Sequence, residues 1–527
     1  MPSLLIHNAN ILSFHDGFVK GKYDSIALEG NKISAVGRFD ELQSLIQPNT
    51  EVINAMGKTL MPGFNDTHIH IWKVGNLKTF MLDLRGVKSL DEMLQMLCEC
   101  DKKFSEARWI TARGFNEAMW EDGRIPTKND LDKVSKDKPV YVIRTCAHIA
   151  VCNTKALEWC NINSKTTIPQ GGEIRLGEDG EPNGIFSETA LGLIANHIPA
   201  YTKEQLKIMV KAVQDEMFSY GITAATDPAV HPELLEAYYE MNASNEIAFR
   251  LHAIPILLPD GSEEPYPIPD FYESDFFNVN TVKFFSDGGL SGKTAALKRH
   301  YKNSSEKGVL RLKREQYLRL CIASMEKTLG IATHAIGDAA IDFVIDVYKE
   351  LHKSFPGMIK RIEHLGLPEE KNLSDMQQCN IAASMQTIFI NELGKNFIRY
   401  LDEDYLEHCY PVRSVLKHGI LTALSSDAPV VKNFNPMKGV EAAVRRKDEE
   451  GNFIAPDESI SIGEALKAYT YHAAKVSNVN QFGSIEEGKL ADFILFDKNP
   501  LTISPEELQN IRVEKTFVDG KCVWARR

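Results

Sequence analysis

The chain has 527 residues, of which 43% are hydrophobic, 9% aromatic and 25% charged, a globular average that excludes disordered and fibrous classes and suffices for a large core. Sixty lysines and arginines against 72 aspartates and glutamates leave a net charge of −12, which favours solubility and argues against nucleic acid or an anionic membrane as the main partner. At roughly 100–200 residues per domain the length corresponds to about three or four domains, although one barrel can absorb about 250 residues by itself.

The chain opens Met1-Pro-Ser-Leu-Leu-Ile-His-Asn8, without the basic stretch and apolar run of a secretory signal. No apolar run reaches the roughly 18 residues of a membrane span. Nine scattered cysteines show neither CxxC nor zinc-finger spacing, so they read as free thiols of a reducing compartment and the protein as cytoplasmic. The sequon at Asn303 carries no weight without a secretory signal.

From Leu4 to about Thr59 the chain reads as short strands, Leu4–Ile11, Ser25–Leu28, Lys32–Val36 and Val52–Asn54, with a glycine turn at Gly30. The C-terminus repeats this style in Ala491–Asp497 and Lys515–Val518, then a hairpin at Asp519-Gly520 before Lys521–Trp524. Each end is too small for a core of its own, so the two are expected to pair. Between them lie eight apolar runs, Thr59–His70, Ile222–Asp227, Phe249–Ile256, Thr281–Asp287, Ile331–Gly337, Arg361–Leu365, Ile381–Thr387 and Leu421–Asp427. Segments with helical periodicity, such as Arg314–Leu329, Ala339–Leu351 and Arg413–Lys417, separate most of the later runs. Eight βα units predict a TIM barrel.

The gap between the first two runs far exceeds a crossover and predicts an insertion with a helix near Ser89–Phe104, a strand at Val140–Arg144, a glycine turn around Gly171–Gly184 and a helix near Lys203–Tyr220. The expected fold is α/β: a (β/α)8 TIM barrel with a small β-sandwich domain from both chain termini and an α+β insertion after barrel strand 1. The β-sandwich takes 1–58 plus 475–527, the barrel 59–75 plus 221–474, and the insertion 76–220, covering the active site.

His68 and His70 end the first run. In a strand, residues i and i+2 point the same way, so both imidazoles can reach one ion; on a helix they would diverge by about 200°. Lys283 falls in the fourth run, and His334, His364 and Asp427 end the fifth, sixth and eighth, where barrel enzymes build their sites. Each alone reads equally as a core histidine, a helix cap or a paired lysine, but their convergence on one barrel mouth points to a metal site. A lysine held neutral by burial can add carbon dioxide to become a carbamate, an anionic ligand able to bridge two metals.

Long ordered segments carry a family resemblance: Leu60-Met-Pro-Gly-Phe-Asn-Asp-Thr-His-Ile-His70, Pro139-Val-Tyr-Val-Ile-Arg-Thr-Cys-Ala-His148, Val282-Lys-Phe-Phe-Ser-Asp-Gly-Gly-Leu-Ser-Gly-Lys-Thr-Ala-Ala-Leu297, Thr333-His-Ala-Ile-Gly-Asp338, Arg361-Ile-Glu-His364, Ser426-Asp-Ala-Pro429 and Glu487-Gly-Lys-Leu-Ala-Asp-Phe-Ile-Leu495. In these the chain resembles the amidohydrolase superfamily, specifically the YtcJ-like branch (amidohydrolase family 3) that includes N-substituted formamide deformylase. The resemblance implies that His68, His70 and Asp427 bind one divalent metal, zinc being the first expectation with one or two ions per chain. It assigns His334 and His364 to a second ion, and to Lys283 the bridging role as N6-carboxylysine. Asp427 would also be the catalytic proton shuttle.

The implied reaction is hydrolysis of a non-peptide C–N bond in a small molecule, a linear amide of the N-acyl or N-formyl kind, by a metal-bridging hydroxide. Trp120, Arg144, His148 and Glu188 in the insertion, with Asp287 and Ser291 after the fourth run, are candidate substrate-binding residues. His148 could orient substrate or stabilise an oxyanion. Three alternatives stand beside this reading: a mononuclear deaminase of cyclic amidines, a lactone or ester hydrolase, and a non-catalytic scaffold. The superfamily's deaminases resemble His-Ala-x-Glu after strand five, whereas this chain has His334-Ala-Ile-Gly337. Histidine and carboxylate ligands also suit manganese, cobalt or iron, and homo-oligomerisation is compatible with the sequence.

Overall fold

Eight parallel strands carry the centre of the chain in two sheets. The first sheet contains Phe64–Asp66, Ile222–Val230 and Arg250–Pro255, followed by two short strands, Phe277–Val279 and Tyr272–Glu273. The second runs Thr281–Phe285, Gly330–Ala335, Lys360–His364, Ile381–Met385 and Thr422–Leu424 in consecutive order. A parallel bridge between Ile256 and Lys283 joins them at one edge. At the other, the Asp427 amide donates to the His68 carbonyl (2.7 Å) and the His70 amide to the Ala428 carbonyl (2.9 Å). The arrangement is a TIM-barrel-like α/β fold. This computed structural model describes residues 2–103, 108–117, 120–145, 149–169, 172–259 and 264–527.

The parallel strands are buried along almost their whole length, as expected when helices cover a sheet. Asp338–Ser354 shows why helices dock here: Ile341, Val344, Ile345, Tyr348 and Leu351 recur at helical spacing and are all buried. Tyr348 from this helix and Tyr317 from Arg314–Glu326 both reach the Thr333 hydroxyl on the fifth barrel strand, at 2.8 and 2.6 Å. These bonds satisfy polar groups that burial would otherwise leave costly.

The two chain ends form two further sheets, in the orders Lys32–Gly37, Ser25–Glu29, Leu4–His7, Glu51–Asn54 and Asn10–Ile11, Thr59–Pro62, Phe493–Phe496, Val513–Val518, Lys521–Ala525. Leu4, Ile6, Ile26, Leu28, Leu60, Phe493 and Phe517 share one core. Two expected strands are broken. Leu4–Ile11 divides at Asn8, whose φ of 54° sends its halves into different sheets; asparagine adopts this left-handed conformation more readily than most residues. Thr59–His70 divides at Gly63, where a Cβ would lie 2.1 Å from the Thr223 hydroxyl oxygen. Thr59–Pro62 stays with the end sheet, Phe64–Asp66 starts the barrel, and residues 67–70 lie past the strand.

Arg250 on the third barrel strand ties the terminal segment down. Its Nε and Nη2 donate to the Asp492 carboxylate at 2.8 and 2.9 Å, and Nη2 also reaches Asp519 at 3.0 Å. Removing one partner of a buried pair strands the other charge, so Asp492→Ala is expected to cost about 3–5 kcal/mol. Chemical denaturation of the full chain checks this; an unchanged midpoint would show the clamp to be dispensable.

The chain divides into two compact units, Met1–Ile71 with Val213–Arg527, and Trp72–Ala212. In the second, a six-stranded sheet has the order Glu173–Leu176, Pro182–Ser187, Ile149–Cys152, Val140–Arg144, Ile110–Phe115, Leu82–Asp83. Met93 and Leu97 of the helix Leu90–Lys103 pack on one core of this unit, and Leu157, Phe186 and Ile194 form another. The expected glycine turn at 171–184 is instead a hairpin, its strands Glu173–Leu176 and Pro182–Ser187 antiparallel around a tight turn at Gly177 and Gly180. Among the described residues no helix is long and apolar enough to cross a membrane.

Candidate metal centre

His68 and His70 follow the first barrel strand rather than standing in it, yet they keep its alternation. The Ile69 amide donates to the Thr226 carbonyl on the second strand (2.9 Å), while the His68 carbonyl and His70 amide bond the segment after the eighth. Held from both sides, the two imidazoles turn the same way: each Nε2 lies 3.4 Å from the same oxygen, Asp427 Oδ1. Asp427 itself sits three residues beyond Leu424, the last residue of its strand, with φ at 58°. A left-handed backbone at a non-glycine residue costs about 1–3 kcal/mol and persists where its surroundings impose it, here through the bond from its amide to the His68 carbonyl.

His364 presents the same device on the sixth strand. Alternation would send Glu363 and His364 to opposite faces, but a φ of 74° at His364 lets both reach the interior. The Glu363 carboxylate lies 2.5 Å from His68 Nδ1, and the His364 ring stands 4.9 Å from that of His68 and 4.4 Å from that of His334. His68, His364 and Asp427 each offer a ligand atom within 4.8 Å of the others. His334, on the fifth strand, directs Nε2 to the Gly288 carbonyl (3.1 Å) and to Asp287 Oδ1 (3.3 Å).

Lys283 is fully buried on the fourth strand, and its ammonium has no hydrogen-bond partner among the described residues. Burial lowers its pKa to about 8, with Glu363 and Asp427 opposing and Arg361 reinforcing the shift. Burial likewise raises Asp66, whose carboxylate accepts the amides of His68 (3.2 Å) and Ser426 (3.1 Å), to about 6. At Asp427 burial works against ionisation, but the His68 and His70 imidazoles outweigh it and hold the carboxyl well below its usual range. Burial and the neighbouring His334 keep His364 neutral. The neutral His364 imidazole and the ionised Asp427 carboxylate are donors a divalent cation requires, whereas at His68 burial and Lys283 are outweighed by Asp427 and Glu363, which raise the imidazole, so an ion binding there would displace its proton. The buried donors of His68, His364 and Asp427, with an unpartnered Lys283 Nζ, fit such an ion.

Among the described residues, the remaining sequence-selected ones have contacts within their own units. Asp287 accepts the amides of Ala296 (2.9 Å), Ile336 (3.1 Å) and Gly337 (2.9 Å), so it braces the loops after the fourth and fifth strands. Ser291 is half-buried in the helical turn Leu290–Gly292. Trp120 is a core residue of the second unit, its indole donating to the Val87 carbonyl at 3.0 Å. Arg144 pairs with Glu117 at 2.8 Å. His148 and the side chain of Glu188 lie outside the described residues.

Sequence reasoning passed over Glu363, Arg361, Gln386 and Asp227. Arg361 and Glu363 were visible as opposite charges two apart in the strand Lys360–His364, hence on one face. Nothing in the sequence distinguished Gln386, whose Oε1 lies 2.6 Å from His364 Nδ1, whereas Asp227, which accepts from the Tyr238 hydroxyl at 2.5 Å, ends the second run as Asp427 ends the eighth.

The chain is similar to known proteins along almost its whole length. The profile of the amidohydrolase family matches residues 51–524. Among curated proteins, YtcJ of Bacillus subtilis is 27% identical, covering 97% of this chain and 99% of its own length. N-substituted formamide deformylase of Arthrobacter pascens is 26% identical, covering 100% and 99%. Among solved structures, an uncharacterized metal-dependent hydrolase from Pyrococcus horikoshii superposes with a TM-score of 0.80 at 26% identity, covering 95% of this chain and 99% of that one.

Proposed function

Because the chain belongs to the amidohydrolase family, we propose that this hydrolase cleaves a non-peptide C–N bond in a linear amide, an N-formyl or N-acyl compound, using divalent metal, zinc in the first instance. His68, His70 and Asp427 would hold one ion and His334 and His364 a second, with Lys283 bridging them as a carbamate. The observation that carries the reading is the shared Asp427 oxygen, 3.4 Å from Nε2 of both His68 and His70.

A divalent cation held by these residues would supply Lewis acidity, lowering the pKa of a bound water towards 7 and polarising a substrate carbonyl. The residues of the chain do the rest. Asp427, ionised and fixed by its backbone bond to His68, accepts the proton of the attacking water and returns it to the departing nitrogen. Glu363 and Gln386 keep the Nδ1 atoms of His68 and His364 engaged, so that Nε2 of each is the atom turned to the centre. Asp287 holds the loops that border His334. Support for the acyl class comes from the deformylase relative, which is similar along its whole length.

The deaminase alternative calls for a glutamate at position 337. A Cβ there would lie 2.0 Å from the Ala296 carbonyl oxygen, so the backbone leaves no room for that side chain. The test is elemental analysis of the purified protein together with an activity screen over formamides, N-acyl amino acids, lactones and cyclic amidines. Bound metal with turnover of a formamide or N-acyl compound, lost on chelation and restored by added zinc, is the expected result. A metal-free protein that does not rebind zinc, or turnover of cyclic amidines alone, would sink the proposal.

A further inference from the structure

The imidazoles at the centre are backed by groups of different charge. Behind His68, Nδ1 faces Glu363 Oε2 at 2.5 Å, with both side chains excluded from solvent. The second carboxylate oxygen of Glu363 accepts from Arg361 Nε, and Arg361 Nη2 donates to the Thr67 carbonyl at 2.8 Å. Pinned at both ends, Glu363 cannot turn away from the imidazole. Behind His364, Nδ1 faces Gln386 Oε1 at 2.6 Å. The amide nitrogen of Gln386 donates to the Ser425 hydroxyl (2.9 Å) and the Ser384 carbonyl (3.3 Å), which fixes its oxygen towards the histidine.

In the neutral ring both partners therefore select the same tautomer, Nδ1–H with Nε2 as the atom left to ligate. They differ in charge: a carboxylate makes the imidazole it accepts from a more basic ligand, whereas a neutral amide orients without that gain. We propose that Glu363, clamped by Arg361, is a positioning residue that makes the cation site built on His68 the tighter of two, and that neutral Gln386 leaves the site built on His364 the weaker and more readily exchanged. This rests on the two-ion reading above.

The experiment is a zinc titration of the metal-stripped full-length protein by calorimetry, with bound zinc counted by elemental analysis and folding followed by circular dichroism. Wild type is expected to bind two ions in separate steps. Glu363→Gln should weaken the tight step by about 10–100-fold, the usual effect of losing such a partner, and leave the weak step unchanged. Gln386→Glu should tighten the weak step and leave the tight one alone; it decides the matter if Glu363→Gln does not fold. Two equal steps or a single step in wild type would overturn the assignment. So would Glu363→Gln weakening both steps alike, or Gln386→Glu shifting the tight one. A wild-type protein that binds no zinc overturns instead the two-ion reading on which the assignment stands.

Discussion

Asp427→Asn is expected to retain bound metal and to lose turnover by about 10²–10⁴-fold, the range over which a positioned acid/base group contributes. The amide is nearly isosteric and keeps an oxygen towards His68 and His70, so the contacts at 3.4 Å survive in shape. What disappears is basicity. The native carboxyl is held ionised by the two imidazoles against burial, and a carboxamide cannot accept the water proton or hand it to a leaving nitrogen. The strained φ of 58° is set by the bond between the Asp427 amide and the His68 carbonyl, and asparagine tolerates that conformation. The variant should therefore fold, with an unaltered circular dichroism spectrum. Steady-state kinetics alongside metal analysis checks the prediction: near-normal kcat refutes the proton-shuttle role, and loss of both metal and activity would make Asp427 a ligand first.

Replacing Lys283 should have the second large effect, on metal loading. Lys283→Ala removes the only side-chain nitrogen among the described residues of the fourth barrel strand, Thr281–Phe285. The bound metal is expected to fall from two ions to one or none, with activity following. Unchanged stoichiometry would rule out the bridging role. The metal-free chain offers an independent reading of the same buried amine. Burial lowers its pKa from 10.5 to about 8, which at 1.36 kcal/mol per unit is a folding penalty on the order of 3 kcal/mol. Between pH 8 and 10.5 the unfolded chain carries a proton that the folded chain lacks, so stability rises with pH across that window; below it the full penalty applies. Lys283→Met should therefore stabilise the metal-free protein at pH 7, with the advantage closing as the pH approaches 10.5. Equal melting temperatures at pH 7 would show that the amine is not desolvated as described.

Both predictions depend on residues that periodicity and spacing had already singled out, and the reasons differ from place to place. Strand assignment was legible wherever apolar residues run unbroken between polar ends: Val140–Arg144 matches its expected bounds, and Ile381 opens the seventh strand where expected. It was less legible at boundaries. Leu421–Asp427 reduces to Thr422–Leu424, because the polar end of the run, Ser425, Ser426 and Asp427, leaves the strand for the loop that carries the site. His68 and His70 were selected for lying on one face of a strand. They lie on one face of an extended segment beyond the strand, held by the same kind of backbone bonds to its neighbours. The family resemblance was legible because its motifs are long and in order, and the match over residues 51–524 agrees.

The order of residues was enough to choose the family, the parallel βα plan and the side chains able to ligate, since these follow from local pattern and chemical type. Which of those side chains meet, and what stands behind each, was decided only by the fold. Alternation cannot foresee that a φ of 74° puts Glu363 and His364 on the same interior. Nor can spacing foresee that Glu363, 295 residues from His68, comes within 2.5 Å of it. Local sequence constrains the conformations of near neighbours; the charge behind a ligand comes from strands distant in sequence, and burial alone makes that charge count.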